Sequence, residues 1–275
     1  MSENCSHDCG SCSQNCADRT AEFDLTAKLR PTSRVGKVIA VSSGKGGVGK
    51  SFVTTMLAVE AAKAGKKVAI LDADITGPSI PRAFGIAGGA LQDERGILPS
   101  RSAMYGIQVM SLNLLVPDPT DPVVWRGPVI AGAVKQFWSD VHWEDVDIMF
   151  VDMPPGTGDV PLTVFQSLPV DGVVIVASPQ GLVGMIVEKS VRMAGMMSKP
   201  VVGLVENMSY LQCPTCSEKL RVFGESGIEA LAKKYEVPVT AQLPIDPSFT
   251  RAIDEGAAES LDVPQLAELV EKIIG

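Results

Sequence analysis

Short apolar runs recur along the chain from Lys37 onward, and Gly, Pro or Asp residues bound each run. β-Branched residues dominate most of them, which predicts strands buried on both faces, as in a parallel sheet covered by helices. Helical patterns lie between the runs, for example at 51–64 and 227–235, and this alternation predicts repeated β-α-β units. The predicted strands are 38–41, 68–71, 109–115, 148–151, 173–177, 201–205 and 239–243. The predicted fold class is therefore α/β, with a mostly parallel central sheet and helices on both faces.

The first 35 residues differ from the rest of the chain. Residues 1–20 contain almost no large apolar side chain, so they cannot bury enough surface to offset the entropy of ordering. Residues 21–35 have the composition of a connector. We expect a flexible, cysteine-bearing tail and linker over 1–35 and one folded domain over 36–275, closed by helices at 246–256 and 264–274.

Composition and charge exclude some classes of partner. The net charge is −8 and no dense Lys/Arg run is present, which disfavours nucleic acid as a partner. No run of eighteen apolar residues is present, so we expect no membrane span. The start of the chain lacks the features of a signal peptide. We expect a cytoplasmic protein whose six cysteines are reduced thiols.

The segment Gly44-Lys45-Gly46-Gly47-Val48-Gly49-Lys50-Ser51 follows an apolar strand and opens a predicted helix. It matches the G-x-x-x-x-G-K-[ST] pattern in its required context. Glycines let backbone N–H groups turn toward phosphate oxygens, and the helix start adds its positive dipole end. We expect Lys50 to reach the β- and γ-phosphates of ATP and Ser51 to ligate Mg²⁺, which makes 36–275 a P-loop ATPase domain.

Aspartates follow two of the predicted strands. Asp72 and Asp74 lie at the end of the second strand, and Asp152 opens the segment Asp152-Met-Pro-Pro-Gly-Thr-Gly-Asp159. A carboxylate at the carboxyl end of a buried strand is the expected Mg²⁺ partner, usually through water. The glycine-rich segment after it is typical of a switch loop that senses the γ-phosphate. The simpler interpretation of each aspartate is a strand-end cap.

Cysteines are the remaining candidates for metal ligands. Cys213-Pro-Thr-Cys216 permits two thiolates to face one metal, which is half of a four-thiolate site. Two chains related by a two-fold axis would complete it, and four thiolates suit either Zn²⁺ or a [4Fe–4S] cluster. A second group near the N-terminus has a spacing that lets one chain wrap an iron–sulfur cluster. His7 is an alternative ligand that favours Zn²⁺ as a second possibility, and unliganded thiols are the third. This group is Cys5, Cys9, Cys12 and Cys16.

Lys45 is a second lysine inside the loop, and it gives the chain a resemblance to the deviant P-loop ATPases that include ParA, MinD and the nitrogenase iron protein. The resemblance implies that Lys45 reaches the nucleotide of a partner subunit in a homodimer. It implies that Asp74 lies near Mg²⁺ and orients the attacking water. It also implies that Asn207, expected at the end of a later strand, reads the adenine edge, with a turn asparagine as the alternative.

Four segments together resemble the narrower Mrp/ApbC family of nucleotide-binding iron–sulfur carrier proteins. They are the loop at 44–51, Trp125-Arg-Gly-Pro128, the segment 152–159, and Glu206-Asn-Met-Ser with Cys213-Pro-Thr-Cys216. The resemblance covers about residues 30–275. It implies a homodimer that holds a labile [4Fe–4S] cluster between paired Cys213/Cys216 sites. It also implies a slow ATPase whose cycle modulates cluster loading from donors or transfer to apo client proteins.

Other functions remain open at this point. A spatial-organising ATPase of the ParA/MinD kind would place a basic amphipathic helix on a membrane, whereas the final segment 261–275 is acidic. A zinc-bound structural ATPase would hold Zn²⁺ on the same thiols. An electron-donating reductase like the nitrogenase iron protein is a further possibility, but the cluster cysteines of that protein occupy different places in its fold.

Overall fold

The computed structural model describes residues 26–75, 77, 79–116, 127–179 and 183–275. The N-terminal group Cys5, Cys9, Cys12 and Cys16, together with His7, lies outside the described residues, as does the Trp125-Arg126 part of the second family segment. Within the described ranges, no helix is long and apolar enough to cross a membrane.

A central sheet carries the fold, and its strands run parallel except at two places. Its strands are β1 (Val35–Ser43), β2 (Val68–Asp72), β5 (Ser100–Arg101), β6 (Gln108–Met110), β7 (Val146–Asp152), β8 (Gly172–Ala177), β9 (Val201–Gln212), β10 (Lys219–Leu220) and β11 (Thr240–Pro244). Neighbouring strands follow the order β11-β9-β8-β1-β7-β2-β6-β5, with β10 paired to the far end of β9. Only the β5–β6 and β9–β10 pairs of this sheet are antiparallel among the described strands. A separate antiparallel hairpin joins β3 (Leu91–Asp93) to β4 (Gly96–Leu98).

Helices cover both faces of the sheet, as the sequence predicts. Their ranges are α1 (Lys50–Lys63), α2 (Ile80–Ala83), α3 (Gly127–Ser139), α4 (Asp159–Ser167), α5 (Val183–Met196), α6 (Ile228–Lys234), α7 (Pro247–Asp254) and α8 (Ala267–Ile274). One apolar core lies between the sheet and α3–α6, and a second lies between the sheet and α1, α2 and α8. Strand β1 lies at the centre, and alternate side chains such as Ala40 and Val41 enter opposite cores. The near-continuous apolar runs arise from this two-sided burial.

Two predicted strands differ from the structure. The run 109–115 is extended only through Met110, and 3₁₀ helix Leu112–Leu114 follows, because β6 is a short strand near the sheet edge. Strand β9 continues past residue 205 to Gln212, since its later residues pair with β11 and β10 after the pairing with β8 ends. Asn207 therefore lies inside a strand, and the prediction that it ends one is wrong.

The residues before β1 are attached to the domain by hydrogen bonds. The Ala27 N–H donates to the Ser167 carbonyl at 2.7 Å, and the Trp138 indole N–H donates to the Ala27 carbonyl at 2.8 Å. The Ser33 hydroxyl donates to the Val141 carbonyl at 3.2 Å. Residues 27–33 thus pack beside α3 and α4 before the chain enters the sheet.

Candidate nucleotide site and cysteine hairpin

The loop at 44–49 joins β1 to α1 and brings glycines to an exposed turn. Gly49 has φ 77°, a left-handed conformation that disfavours side chains, and a Cβ there would lie 2.2 Å from the Asn207 amide nitrogen. That amide donates to the Val48 carbonyl at 3.0 Å. A Cβ on Gly44 would lie 1.9 Å from the Ile186 Cγ2 atom of α5. The loop is therefore fixed by β9 on one side and α5 on the other, and glycine is required at both contacts.

Lys50, Ser51 and Asp152 meet at the start of α1. The Lys50 ammonium lies 2.8 Å from one Asp152 carboxylate oxygen, and the Ser51 hydroxyl donates to the same oxygen at 2.6 Å. Lys50 is 6% and Asp152 1% exposed, so the pair is shielded from water. Because β1 and β7 are parallel neighbours, their carboxyl ends bring the loop and Asp152 to the same edge. The structure thus brings together the three residues that the sequence predicts for phosphate and Mg²⁺.

Thr54 completes the arrangement, and sequence reasoning missed it. Its hydroxyl donates to the second Asp152 oxygen at 2.7 Å and is fully buried. Each Asp152 oxygen therefore accepts from a side chain of α1, which fixes the plane of the carboxylate. The sequence feature that could have indicated it is a residue with a hydroxyl group one helical turn after Lys50, inside a largely apolar helix.

Asp74 and Asp72 take different positions. Asp74 lies 3.5 Å from the Lys50 ammonium and faces the loop. Asp72 is fully buried behind it, accepting from the Ser111 hydroxyl at 3.0 Å and the Asp74 N–H at 3.2 Å. Burial, and next the negative charge of Asp152, raise the pKa of Asp72 well above its ordinary value. Asp72 supports the site from below and does not itself face the loop.

The segment after Asp152 lies against the phosphate loop. The Gly156 N–H donates to the Ser43 carbonyl at 2.8 Å, and the Pro155 ring approaches within 3.8 Å of the position that a Cβ on Gly46 would occupy. Asp159 then opens α4. The predicted switch loop is thus in contact with the phosphate loop.

A cleft of about 820 Å³ opens beside the loop. This volume is typical of a site for a small organic ligand. Phe52 and Phe249 stack within it, with ring centroids 5.2 Å apart, and no sequence pattern indicated this pair. The lining comprises Gly47, Gly49, Phe52, Asn207, Met208 and residues of the segment 244–255. Asn207 and the segment 244–246 therefore meet in one cleft with the phosphate loop.

Lys45 is half-buried at the start of the loop, and its carbonyl accepts from the Ser43 hydroxyl at 3.0 Å. Its role across a subunit interface stays a prediction.

The fit of Mg²⁺ rests on the donor set: the Ser51 hydroxyl and the Asp152 carboxylate are hard oxygen donors whose oxygens lie 2.6 Å apart. Both the nucleotide and its cation are therefore compatible with the residues present.

Cys213 and Cys216 lie at the turn of the β9–β10 hairpin. Gln212 pairs with Lys219, the Cys213 N–H donates to the Glu218 carbonyl at 2.9 Å, and the Ser217 N–H donates to the Cys213 carbonyl at 2.9 Å. Cys213 is half-buried and Cys216 is exposed. Hydrogen bonds from the backbone N–H groups of Cys216 and then Thr215 lower the pKa of the Cys213 thiol.

The hairpin supplies an incomplete metal site. No group of three or more His, Cys, Asp or Glu side chains that could hold a metal occurs in the described parts of the chain. A four-thiolate site on Cys213 and Cys216 therefore needs ligands from beyond the hairpin. The structure brings these two cysteines together at the hairpin turn. They lie apart from the loop at 44–51, because that loop contacts Asn207 at one end of the segment 207–213 and Cys213 is at the other end.

Comparisons with known proteins agree with this geometry. The family profile described as "ParA: NUBPL iron-transfer P-loop NTPase" matches residues 34–274. An iron–sulfur cluster carrier protein of Clostridium perfringens is 45% identical over 257 residues, covering 90% of each chain. A protein of the same name from Methanocaldococcus jannaschii is 40% identical over 276 residues, covering 98% of this chain and 95% of the relative.

Solved structures show the same fold. The nucleotide-binding protein of Archaeoglobus fulgidus, in complex with ADP, has a TM-score of 0.77 at 43% identity and covers 84% of this chain and 91% of its own. The cell division ATPase MinD of Pyrococcus furiosus has a TM-score of 0.61 at 20% identity, covers 86% of this chain and 98% of its own, and shows the fold alone. The resemblance to P-loop iron–sulfur carriers is confirmed. The chain belongs to the family of ParA/NUBPL-type iron-transfer P-loop NTPases.

Proposed function

We propose that this chain is an ATP-dependent iron–sulfur cluster carrier. It binds Mg²⁺ and ATP at the loop and cleft, hydrolyses ATP slowly, and holds a [4Fe–4S] cluster between the Cys213 and Cys216 thiolates of two chains. The cluster comes from a donor and passes to apo client proteins. Support comes from the relatives, which are named iron–sulfur cluster carrier proteins, and from the presence of the nucleotide site and the cysteine hairpin in one domain.

One observation carries the proposal. Strand β9 holds Asn207 against the phosphate loop and leads directly into Cys213. A nucleotide in the cleft contacts the first position, and a cluster occupies the second. Because Cys213 directly follows the hydrogen-bonded strand that holds Asn207, a displacement of Asn207 when the cleft fills reaches the hairpin through only a few residues.

Lys50 changes partners when ATP binds. Without nucleotide its ammonium pairs with Asp152 and Asp74. The β- and γ-phosphates offer it stronger negative charge, so Lys50 moves to them and the carboxylates are released. Mg²⁺, held by Ser51 and Asp152, would neutralise phosphate charge. Asp74 orients the attacking water, and Lys45 reaches the nucleotide of the partner chain.

The hairpin supplies only two thiols per chain, and for this reason the proposed carrier is a homodimer. A [4Fe–4S] cluster takes four thiolate ligands, and a two-fold axis at the hairpin supplies them from paired Cys213 and Cys216. The lowered pKa of Cys213 favours the thiolate that a metal requires. Reduced thiols require a reducing compartment, which fits the cytoplasm. The N-terminal cysteines hold a second cluster in this proposal.

Anaerobic reconstitution with iron and sulfide tests the proposal. Wild type is compared with Cys213→Ala, with Thr215→Ser as a control inside the same turn, and with a variant in which the four N-terminal cysteines are replaced by serine. Iron, sulfide and zinc are measured per chain, and the loaded protein is mixed with an apoprotein that needs a [4Fe–4S] cluster.

We expect the Thr215→Ser protein to match wild type and Cys213→Ala to lose the hairpin cluster and its transfer activity. Removal of the N-terminal cysteines should lower total iron but leave the hairpin cluster. Stoichiometric zinc without iron in anaerobically purified wild type would contradict the proposal and favour a zinc-bound structural ATPase.

A further inference from the structure

A second cavity, separate from the nucleotide cleft, lies beside strand β9. It has a volume of about 270 Å³ and opens among β8, β9, α5 and α6. Its lining shares no residue with that of the nucleotide cleft in the described parts of the chain. Asn207 lines the cleft and Glu206 lines the cavity, because successive side chains of a strand point to opposite faces.

The walls of this cavity are mostly apolar, and they come from strands and helices that pack in the core. A cavity of about 150 Å³ holds a molecule of the size of benzene, so this one has room for roughly ten non-hydrogen atoms. Its wall is therefore suited to the hydrocarbon part of a small organic molecule. The apolar side chains of the wall include Ile175, Val187, Leu204, Ile228 and Leu231.

Glu206 is the exceptional residue of the wall. It is 4% exposed and lies in the interior of the sheet, where Ala177 of β8 and Gln242 of β11 are its neighbours in register. One of its carboxylate oxygens accepts from the Ser209 hydroxyl at 2.6 Å. The other accepts no hydrogen bond from the described residues and is open to the cavity. Glutamate is almost never buried in this way without a partner.

No Lys, Arg or His side chain among the described residues forms an ion pair with Glu206. Basic groups of the neighbouring segments pair elsewhere, since Arg221 lies 3.2 Å from Glu225 and Lys234 lies 2.6 Å from Glu188. Burial of a carboxylate is costly unless a cation or several hydrogen-bond donors accompany it. A positively charged donor inside the cavity would supply what Glu206 lacks.

We propose that this cavity binds a small organic ammonium ion with an apolar body. The ammonium group donates to the open oxygen of Glu206, and the hydrocarbon part packs against the apolar wall. Ser178, which is 2% exposed, adds a buried hydroxyl to the same lining. Glu225 also lines the cavity, and its side chain is 89% exposed, so a second negative charge lies at the mouth and attracts cations.

Other classes of ligand fit the cavity less well. An anion would meet two carboxylates, and the described lining contains no basic side chain. A purely apolar molecule would leave the open oxygen of Glu206 without a donor. A metal ion requires more ligands, and the described parts of the chain contain no group of three or more His, Cys, Asp or Glu side chains that could hold one.

The test uses cyclopentylamine as the probe and cyclopentanol as its neutral counterpart of similar shape. Dissociation constants are measured by ligand-observed NMR titration of the full chain. Glu206→Gln removes the charge and keeps the size of the side chain. Glu229→Gln is the matched control, because it makes the same substitution at an exposed residue of α6. Leu231→Phe adds volume to the wall and tests the cavity without changing its charge. Thermal melts and ATP hydrolysis check the folding of each variant.

We expect wild type to bind the amine about tenfold more tightly than the alcohol, and Glu206→Gln to abolish this preference. Glu229→Gln should match wild type, and Leu231→Phe should weaken the binding of both probes. Equal affinity of wild type for the two probes, or no binding of either, would overturn the inference. So would a preference for the amine that persists in Glu206→Gln. None of these outcomes depends on iron, so the inference stands or fails separately from the proposed cluster site.

Discussion

The nucleotide site and the cysteine hairpin are built in opposite ways. At the nucleotide site, Lys50, Ser51, Thr54 and Asp152 are cross-bonded, largely buried, and held by α1 and the ends of parallel strands. At the hairpin, two thiols lie at a solvent-facing turn, and the local partners of Cys213 are groups of the turn itself, from Thr215 and Cys216. The first site is organised without a ligand, whereas in the proposed function the second is completed only when two chains assemble. Mutations should therefore act on stability and turnover at the first site and on metal retention at the second.

Lys50→Ala should give the largest effect. It removes the cation for ATP phosphates, and we expect ATP turnover to fall by about 100-fold or more. It also leaves Asp152 and Asp74 without their positive partner, and Asp152 is buried, so the nucleotide-free protein should lose about 3 kcal/mol of unfolding free energy. Turnover assays and urea denaturation measure the two effects.

Lys45→Ala is the matched control for Lys50→Ala. Its side chain is half-buried at the loop, so the free energy of unfolding should change much less, while turnover falls if Lys45 reaches the partner's nucleotide. Normal cluster transfer by Lys50→Ala would contradict the coupling between the two regions.

Thr54→Val should destabilise the protein by about 2 kcal/mol, because it removes a buried hydrogen bond to a carboxylate and leaves one Asp152 oxygen without that donor. Thr55→Val is the matched control, because it makes the same substitution at the adjacent residue. The Thr55 hydroxyl donates only to the Ser51 carbonyl within the helix, so its loss should cost under about 1 kcal/mol. Urea midpoints compare the two variants, and equal losses would show that the Asp152 contact carries no special weight.

Asp72→Asn should stabilise the nucleotide-free protein by about 1 kcal/mol near neutral pH. Burial raises the pKa of Asp72, so the folded state holds the proton more tightly than the unfolded state. The wild type therefore loses stability as the pH rises from the ordinary carboxyl range through the raised pKa. Thermal melts across that range should show the gain of the variant vanishing at acid pH; a gain that persists there would contradict the cause.

The smallest expected effect is kinetic and lies at the hairpin. In metal-free protein near neutral pH, Cys213 should be alkylated by iodoacetamide severalfold faster than Cys216, because hydrogen bonds lower the pKa of its thiol. Exposure alone predicts the reverse, since Cys216 is the more exposed of the two. Mass spectrometry of the labelled peptides measures both rates, and the advantage of Cys213 should disappear as the pH rises above the ordinary thiol range.

Local patterns predicted much of this molecule. The loop at 44–51 meets the aspartates at the ends of β2 and β7 because parallel strands end at a common edge, so this meeting could be predicted from the sequence. The contacts that no pattern indicated join distant parts of the chain, such as Phe52 with Phe249 and Gly44 with Ile186. Asn207 shows the same limit. Its approach to the loop was implied by resemblance, but its place inside a long strand depends on β10 and β11, which follow it in the chain.

The spacing from Asn207 to Cys213 is fixed by the geometry of β9. Successive side chains of a strand point to opposite faces, so an insertion or deletion of one residue within this interval would rotate the thiol to the side occupied by Lys219. Such a chain would keep its phosphate loop while the Cys213 thiol pointed to the other side of the hairpin. Natural length variation in this protein should therefore fall in other segments of the chain, because here a change of one residue alters the direction of the thiol.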